Sequence, residues 1–480
     1  MKRNIKLISG LFSLLILFAS CSLEPEIADE LEFNPSTLDE STIRNLMDGS
    51  YEEMMHHRYY GRNYMLVAEV RTDNVFANGN TSRFRRTGSM QIPPTNGRQN
   101  NIFKHGYYSL SGPNSIINSD ESEIEALSEP EDKANIKHII GEAYLARALV
   151  HFDLLRMYGQ AYIDEGDNLG VSYAKEFKGE DLDIPRGTIE ENKKDIYDDI
   201  NTAISYFKEG SSSPYASSKT KLTLDAAYGL ISRVGVYFKD YDQVLSFGSE
   251  IEDLIATHPV TPEEDVVDYW APNAEPGPAS VFEIAVTPSE SQGIDGLAYS
   301  FRNGKSGVYG DIQVFDNLLD DAEFDANDIR ASKAMIDYEG SKLRNMGKYP
   351  SDGTDLGVEN IKVMRIAEVV LNYAEALSEN GQTAKALEYL NSIPANRGLG
   401  DNYYASPSIE NLLKERRKEL LFEGFRFFDL VRFRLGIRDM DPNTPNNHGF
   451  VPAGDSRLAL PIPQEEIDSN HESVQNPGYN

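Results

Sequence analysis

The chain carries 480 residues, with 77 Asp and Glu against 46 Lys and Arg and a formal net charge of -31. So acidic a surface repels phosphate backbones, which sets nucleic acid aside as a partner. A single cysteine, Cys21, cannot form a disulfide within the chain, so stability rests on the core that this length can bury.

The first element is "MKRNIKLISGLFSLLILFASC". Lys2, Arg3 and Lys6 precede an uncharged apolar run from Leu7 to Ala19. That run is shorter than the roughly 20 residues a helix needs to cross a bilayer core. A basic start, a short apolar stretch and the small residues Ala19 and Ser20 predict a signal peptide over residues 1–20. "FASC" then resembles a bacterial lipobox, with Phe18 where such sites more often carry Leu. Cleavage before Cys21 would leave a diacylated N-terminal cysteine, and acyl chains contribute about 0.8 kcal/mol per buried methylene. Residues 21–37 read as a lipidated acidic tether, with Glu24, Glu26, Asp29, Glu30 and Glu32 between Cys21 and Pro35. The acidic stretch resembles the signal that sends lipoproteins to the cell surface. No second apolar run reaches membrane length.

Helical periodicity follows in adjacent pairs. Over residues 135–161, Ile139, Ala143, Ala146, Val150, Leu154 and Met157 share a face. Residues 222–255 read as two helices with a break near Asp240. Residues 361–393 read likewise, with Gly381 at the turn and Ile366, Val370, Tyr373 and Leu377 on one side. Helix-turn-helix units of about 34 residues with small residues at the crossing are tetratricopeptide-like. Long segments rich in Gly, Asn, Pro and Ser separate them, notably 76–101 and 269–280, and loops of that length are usually functional or disordered. The expected fold class is all-α: a tetratricopeptide-like helix-turn-helix scaffold with long irregular loops. It would form one domain over residues 38–480, with halves at about 38–260 and 261–480.

Catalytic motifs are missing: the sequence holds no HExxH, GxSxG or GxxxxGK[ST]. Residues 320–330, "DDAEFDANDIR", have alternating carboxylates but lack the glycine a calcium loop needs. With 77 acidic residues, carboxylate pairs at glycosidase distance arise by accident and support no hydrolase. Arg416, Glu419, Glu423 and Arg426 stand 3, 4 and 3 residues apart, which on one helix would align alternating charges on one face. Asp429 and Arg432 continue the alternation. Carboxylates among arginines stay ionised, so these six residues are expected to form a structural ion-pair network and no general acid.

Four stretches carry a family resemblance. "KERRKELLFEGFRFFDLVRF" (414–433), "LALPIPQEEIDSNHESVQNPGY" (458–479), "MRIAEVVLNYAEAL" (364–377) and "GEAYLARALVHFDLLRMYG" (141–159) resemble blocks of the SusD/RagB family, in the family's order. Ala146 stands where the family often has Arg. The resemblance implies a surface-exposed outer-membrane lipoprotein that sits over a SusC-like TonB-dependent transporter. It would capture an oligosaccharide or, in a RagB-type branch, a peptide. Such a protein binds its ligand without turning it over, and needs neither cofactor nor metal. A surface glycosidase or an adhesin is the rival reading. The closing segment is expected to wrap and cap the scaffold.

The resemblance also places the ligand site in the variable loops. Sugar sites need an aromatic face flanked by polar side chains. By that logic the candidates are Asp73, Asn74, Phe76, Arg83 and Phe84 in residues 69–86, and Trp270, Tyr299, Phe301 and Tyr309 in residues 270–309. Each aromatic serves equally well as loop packing, and the stretch around Trp270 resembles one in which the family's Trp packs structurally. A strongly anionic glycan would suit so acidic a chain only if Arg83, Arg85 and Arg86 form a local basic patch.

Overall fold

The periodic segments become helices in a computed structural model that describes residues 38–161, 168–176, 183–272, 275–302, 309–320, 324–350, 358–441 and 443–479. The signal peptide, Cys21 and the tether lie outside the described residues, as do residues 321–323 of the acidic loop. The amino-terminal half builds on α1 (Glu40–Met55), α2 (Asn63–Glu69), α3 (Gly97–Tyr108), α4 (Ser111–Ile117) and the 26-residue α5 (Lys133–Tyr158). Helix α5 is buried on nearly every side from Ile136 onward, with its charged Glu142, Arg147, Asp153 and Arg156 held in buried ion pairs. Its antiparallel partner α6 (Ile189–Glu209) is amphipathic and buries Ile196, Ile200, Ala203, Ile204 and Phe207. A capping box between Thr188 and Glu191 starts α6.

Next come α7 (Leu224–Phe238), capped by Thr223, then α8 (Tyr241–Ser246) and α9 (Gly248–Thr257). Lys239, in the left-handed region at φ 59°, makes the expected break between α7 and α8. Helices α10 (Ile366–Glu379) and α11 (Thr383–Ala395) form a hairpin. Gly381 turns it at φ 79°, a conformation that costs glycine nothing.

Short antiparallel ladders interrupt the helices. Strand β1 (Val75–Ala77) pairs with β3 (Ile312–Val314), and β2 (Ser280–Ile284) pairs with β6 (Ile361–Arg365). Strand β4 (Ile336–Glu339) pairs with β5 (Lys342–Asn345), and two further two-residue strands, 437–438 and 450–451, pair with each other. Residues 361–365, read from sequence as the start of a helix, are therefore strand. Pairing of β1 with β3 brings the two candidate loop regions side by side.

The block at 414–433 departs from the single helix expected of it. Helix α12 (Ile409–Glu419) ends, the chain turns, and α13 (Arg426–Arg432) begins. In that turn Phe422 (φ 71°) and Gly424 (φ 81°) are left-handed. A Cβ on Gly424 would stand 3.1 Å from the Met65 backbone, so glycine serves both the conformation and the close approach. The buried Glu69 carboxylate locks the turn, accepting the amides of Phe422 at 2.9 Å and Gly424 at 3.1 Å.

With the helix broken, the charged side chains reach other segments. Glu419 accepts from Arg397 at 2.8 Å, Arg365 at 3.0 Å and Arg330 at 3.1 Å. Glu423 accepts from Lys348 and Arg365, each at 2.6 Å. Asp429 holds Arg416 at 2.9 Å and Arg432 at 2.8 Å, while Arg432 also holds Glu375 at 2.7 Å. Arg426 reaches back to Asp73 at 2.7 Å. All six residues are thus engaged in ion pairs, but only Asp429 and Arg432 pair as near neighbours in the chain.

Residues 458–479 close over the end of α5. The Leu460 amide donates to the Met157 carbonyl at 2.8 Å, and Asn476 Nδ2 donates to the Tyr158 carbonyl at 2.7 Å. These are carbonyls that a helix end leaves without partners. Asn476 also binds the Leu460 carbonyl, and Arg186 holds the Val474 carbonyl, both at 2.7 Å.

Glu419→Ala is expected to cost about 3–5 kcal/mol in urea unfolding, because it leaves buried Arg397 without a carboxylate and takes one partner each from Arg330 and Arg365. Acid should act in two opposing senses. Burial alone would raise Glu419, Glu423 and Asp429, but their cationic neighbours outweigh it and hold all three below the ordinary carboxylate values near 4.5 and 3.8. Their stabilisation is complete above those values and is lost as pH falls through the lower folded ones. Burial pushes Glu69 up to about 7. Its contribution is full below about 4.5 and is lost as pH rises toward 7. Unfolding measured from pH 3 to 8 should show acid loss from the first group, and Glu69→Gln should flatten the slope between pH 5 and 7.

Candidate functional site

After β1, the chain forms a polar loop clipped to the residues before β3. Asn78 Nδ2 donates to the Gly310 carbonyl at 2.8 Å, and Thr81 and Arg83 donate to Asp311 at 2.5 and 2.7 Å. Arg83 also reaches Asp295 at 3.2 Å and Ser300 Oγ at 3.3 Å. Its guanidinium lies 4.1 Å from the centre of the Tyr309 ring. Phe84, left-handed at φ 57°, then redirects the chain into a single helical turn over Arg85–Gly88. Such backbone strain in a non-glycine residue persists where surrounding contacts fix it. Here the Phe84 ring is buried, and the guanidinium groups of Arg98 and Arg62 lie 5.1 and 5.9 Å from its centre.

Between this turn and the start of α3 opens a cleft of about 660 Å³. Its hydroxyls and amides come from Ser82, Ser89, Thr95, Gln91, Asn96 and Asn446. Its charges come from Arg85, Arg86 and Arg98, and no carboxylate is among the described lining residues. Asn446 is placed by its own bonds, Nδ2 to the Ala77 carbonyl at 2.8 Å and Oδ1 from Arg85 Nε at 3.2 Å. Asn96 caps α3 by accepting the Arg98 amide at 3.2 Å.

A second recess, of about 380 Å³, is apolar and lies between α3 and residues 463–470. Phe103, Tyr107, Leu110 and Pro463 line it, and Tyr108 stands 55% exposed at its edge. Lys104 and Glu465 pair across its rim.

The structure places the residues expected to touch ligand mostly inside. Asp73 is tied to Arg426, and Asn74 bridges Glu69 at 3.2 Å and Arg417 at 2.9 Å. Phe76 packs on Phe315, with ring centres 5.1 Å apart, and Phe301 on Phe422 at 5.4 Å. Tyr299 is buried too. Trp270 is 3% exposed, packs against Tyr349, and has Lys348, Arg365 and Lys362 within 5.2 Å of its ring. These side chains offer a ligand no free face in this conformation, because the loops that carry them fold onto the scaffold. Arg83, Phe84 and Tyr309 do come together beside the polar cleft, with Tyr309 half-buried. Arg62, Arg98, Gln91, Asn96 and Asn446 were missed. Nothing local marks Asn446, which joins the site from 361 residues beyond Arg85.

Comparison with known proteins matches residues 323–479 to a family model described as the SusD family. Residues 26–236 match a second, described as starch-binding associating with outer membrane. A SusD-like protein P2 of Formosa agariphila is 23% identical, over 91% of this chain and 92% of its own. The crystal structure of a putative sugar binding protein from Bacteroides vulgatus superposes with a TM-score of 0.81 at 26% identity, covering 93% of this chain and 100% of that one. Surface glycan-binding protein A from Bacteroides thetaiotaomicron, in complex with laminarihexaose, shares the fold with a TM-score of 0.72. It is 17% identical, over 91% of this chain and 99% of its own.

Trp270→Ala is expected to cost about 3–5 kcal/mol in denaturant unfolding, as for a buried aromatic, while ligand affinity of the folded fraction stays unchanged. An affinity loss in a variant of parental stability would instead make Trp270 a ligand contact.

Proposed function

Because the chain belongs to the SusD family, a family of glycan-binding proteins, we propose that it captures an oligosaccharide at the cell surface and passes it to a SusC-like TonB-dependent transporter. The observation that carries this reading is the polar cleft beside Phe84. Sugar hydroxyls both donate and accept, and the cleft offers amides, hydroxyls and guanidinium groups in a volume suited to a few sugar units. The reading is non-enzymatic. Glycoside hydrolysis needs two opposed carboxyl groups, and the described lining supplies none. Cys21, as the lipidated residue, would tether the protein to the outer membrane on its exterior side.

The apolar recess admits a peptide as the second reading. Phe103, Tyr107 and exposed Tyr108 would receive apolar side chains of a peptide as readily as the apolar face of a sugar ring.

Calorimetric titration with neutral plant glycans, host mucin-type glycans, anionic polysaccharides and a mixed peptide digest tests both. Saturable heat with one glycan class is the expected result. Heat with peptides alone would move the ligand to the second class. Metabolic labelling with radioactive palmitate should mark the protein and leave the Cys21→Ala variant unlabelled, and an unlabelled parent would refute the lipid tether.

A further inference from the structure

The cleft carries a charge opposite to that of the chain. The formal net charge is -31, yet Arg85, Arg86 and Arg98 line the cleft without an acidic neighbour among its described lining residues. Behind them, Arg62 and Arg83 share Asp295 at 2.8 and 3.2 Å, and Arg83 also holds Asp311 at 2.7 Å. Arg62 and Arg83 thus already engage the two carboxylates, Asp295 and Asp311, that accompany these five guanidinium groups.

Arg98 forms no ion pair among the described residues. Its side chain has no hydrogen-bond partner among the described residues, and its Nε is buried. Burial and the nearby Arg83 push its guanidinium below the ordinary value. Burial and Arg83 likewise push Arg62 down to about 10. Each depression measures a cost of keeping a cation there, and an anion seated in the cleft would offset it. The amino-terminal end of α3, at Gly97, directs its positive pole to the same space.

Resting on the glycan-capture reading, we propose that the cleft takes an acidic saccharide, a sugar unit bearing a carboxylate or a sulfate group. Arg98 and Arg86 receive the anion, because a planar guanidinium matches two oxygens of either group with charge-assisted bonds. Ser82, Ser89, Gln91 and Asn446 bond the ring hydroxyls of the same or the adjoining unit. The acidity of the whole chain does not forbid this. At physiological salt the screening length is about 8 Å, so an anion in the cleft responds to the guanidinium groups beside it more than to the distant acidic surface.

The full chain in detergent would be titrated with three probes of equal length: a neutral oligosaccharide mixture, an oligogalacturonate and a sulfated galactan oligosaccharide. Each titration would be run at low and at high salt. Expected is saturable binding of one or both acidic probes, weakening as salt rises. Arg98→Gln should weaken it by at least about tenfold, the size of one lost charge-assisted bond. Arg86 is exposed, so Arg86→Gln gives the same test should Arg98→Gln melt early. The two acidic arms tell carboxylate from sulfate. Binding of neutral probes alone, insensitive to both substitutions, would overturn the acidic assignment and leave glycan capture standing. No heat from any saccharide, with the parental melting temperature intact, would overturn both.

Discussion

The fold depends on one buried carboxylate, that of Glu419, and the three guanidinium groups it holds. Arg330 is the last residue of the acidic stretch 320–330, Arg365 comes from the end of β6, and Arg397 from the residues after α11. Removing four charges from water is costly, and the interaction returns that cost only where the geometry is close and every donor is used. Glu423 extends the web to Lys348, and Glu415 holds Arg330 from the other side at 2.6 Å. Segments lying far apart in the chain thus meet at one polar centre that tolerates no other register.

A second polar centre organises the amino-terminal half. Asp153, on the inward side of α5, accepts the hydroxyls of Tyr59, Tyr60 and Tyr64 and the guanidinium of Arg156. Much of the tyrosine in this chain is therefore structural, with its rings in the core and its hydroxyls on buried acceptors. The segment 56–64 is fixed to α5 this way, and Arg62 within it is thereby held where its guanidinium meets Phe84 and Asp295. The scaffold thus places a guanidinium group behind a cleft whose own lining comes from the 82–98 segment and Asn446.

The helical scaffold was legible because 3.6-residue periodicity survives in a chain whose helices bury one face or all of themselves. The ladders were not, since strands of two to five residues are too short to show alternation. The block 414–433 has an unbroken helical charge pattern, and only its tertiary partner explains the turn: Glu69, some 350 residues earlier, binds two amides that a continuous helix would have used internally. The resemblance pointed to the loops that hold the site, but composition does not say which way a loop side chain faces. Trp270, Phe76 and Phe301 therefore read equally well as ligand platforms or as packing, and all three are buried. Arg83, Arg85 and Arg86 were legible as a cluster that could form a basic patch, but not as one that does. Arg98 and Asn446 became visible only once β1 and the 446 loop were placed together.

The closing segment has a consequence for the order in which the molecule is made. Synthesis delivers α5 more than 300 residues before Asn476, whose side chain completes the hydrogen bonding at its end. Until residues 460–476 arrive, that end must be solvated by water, and the surface they will cover stays open. A nascent or translocating polypeptide thus remains one stitch short of the native fold for most of its production. Final locking becomes a late event governed by the slowest residues to appear.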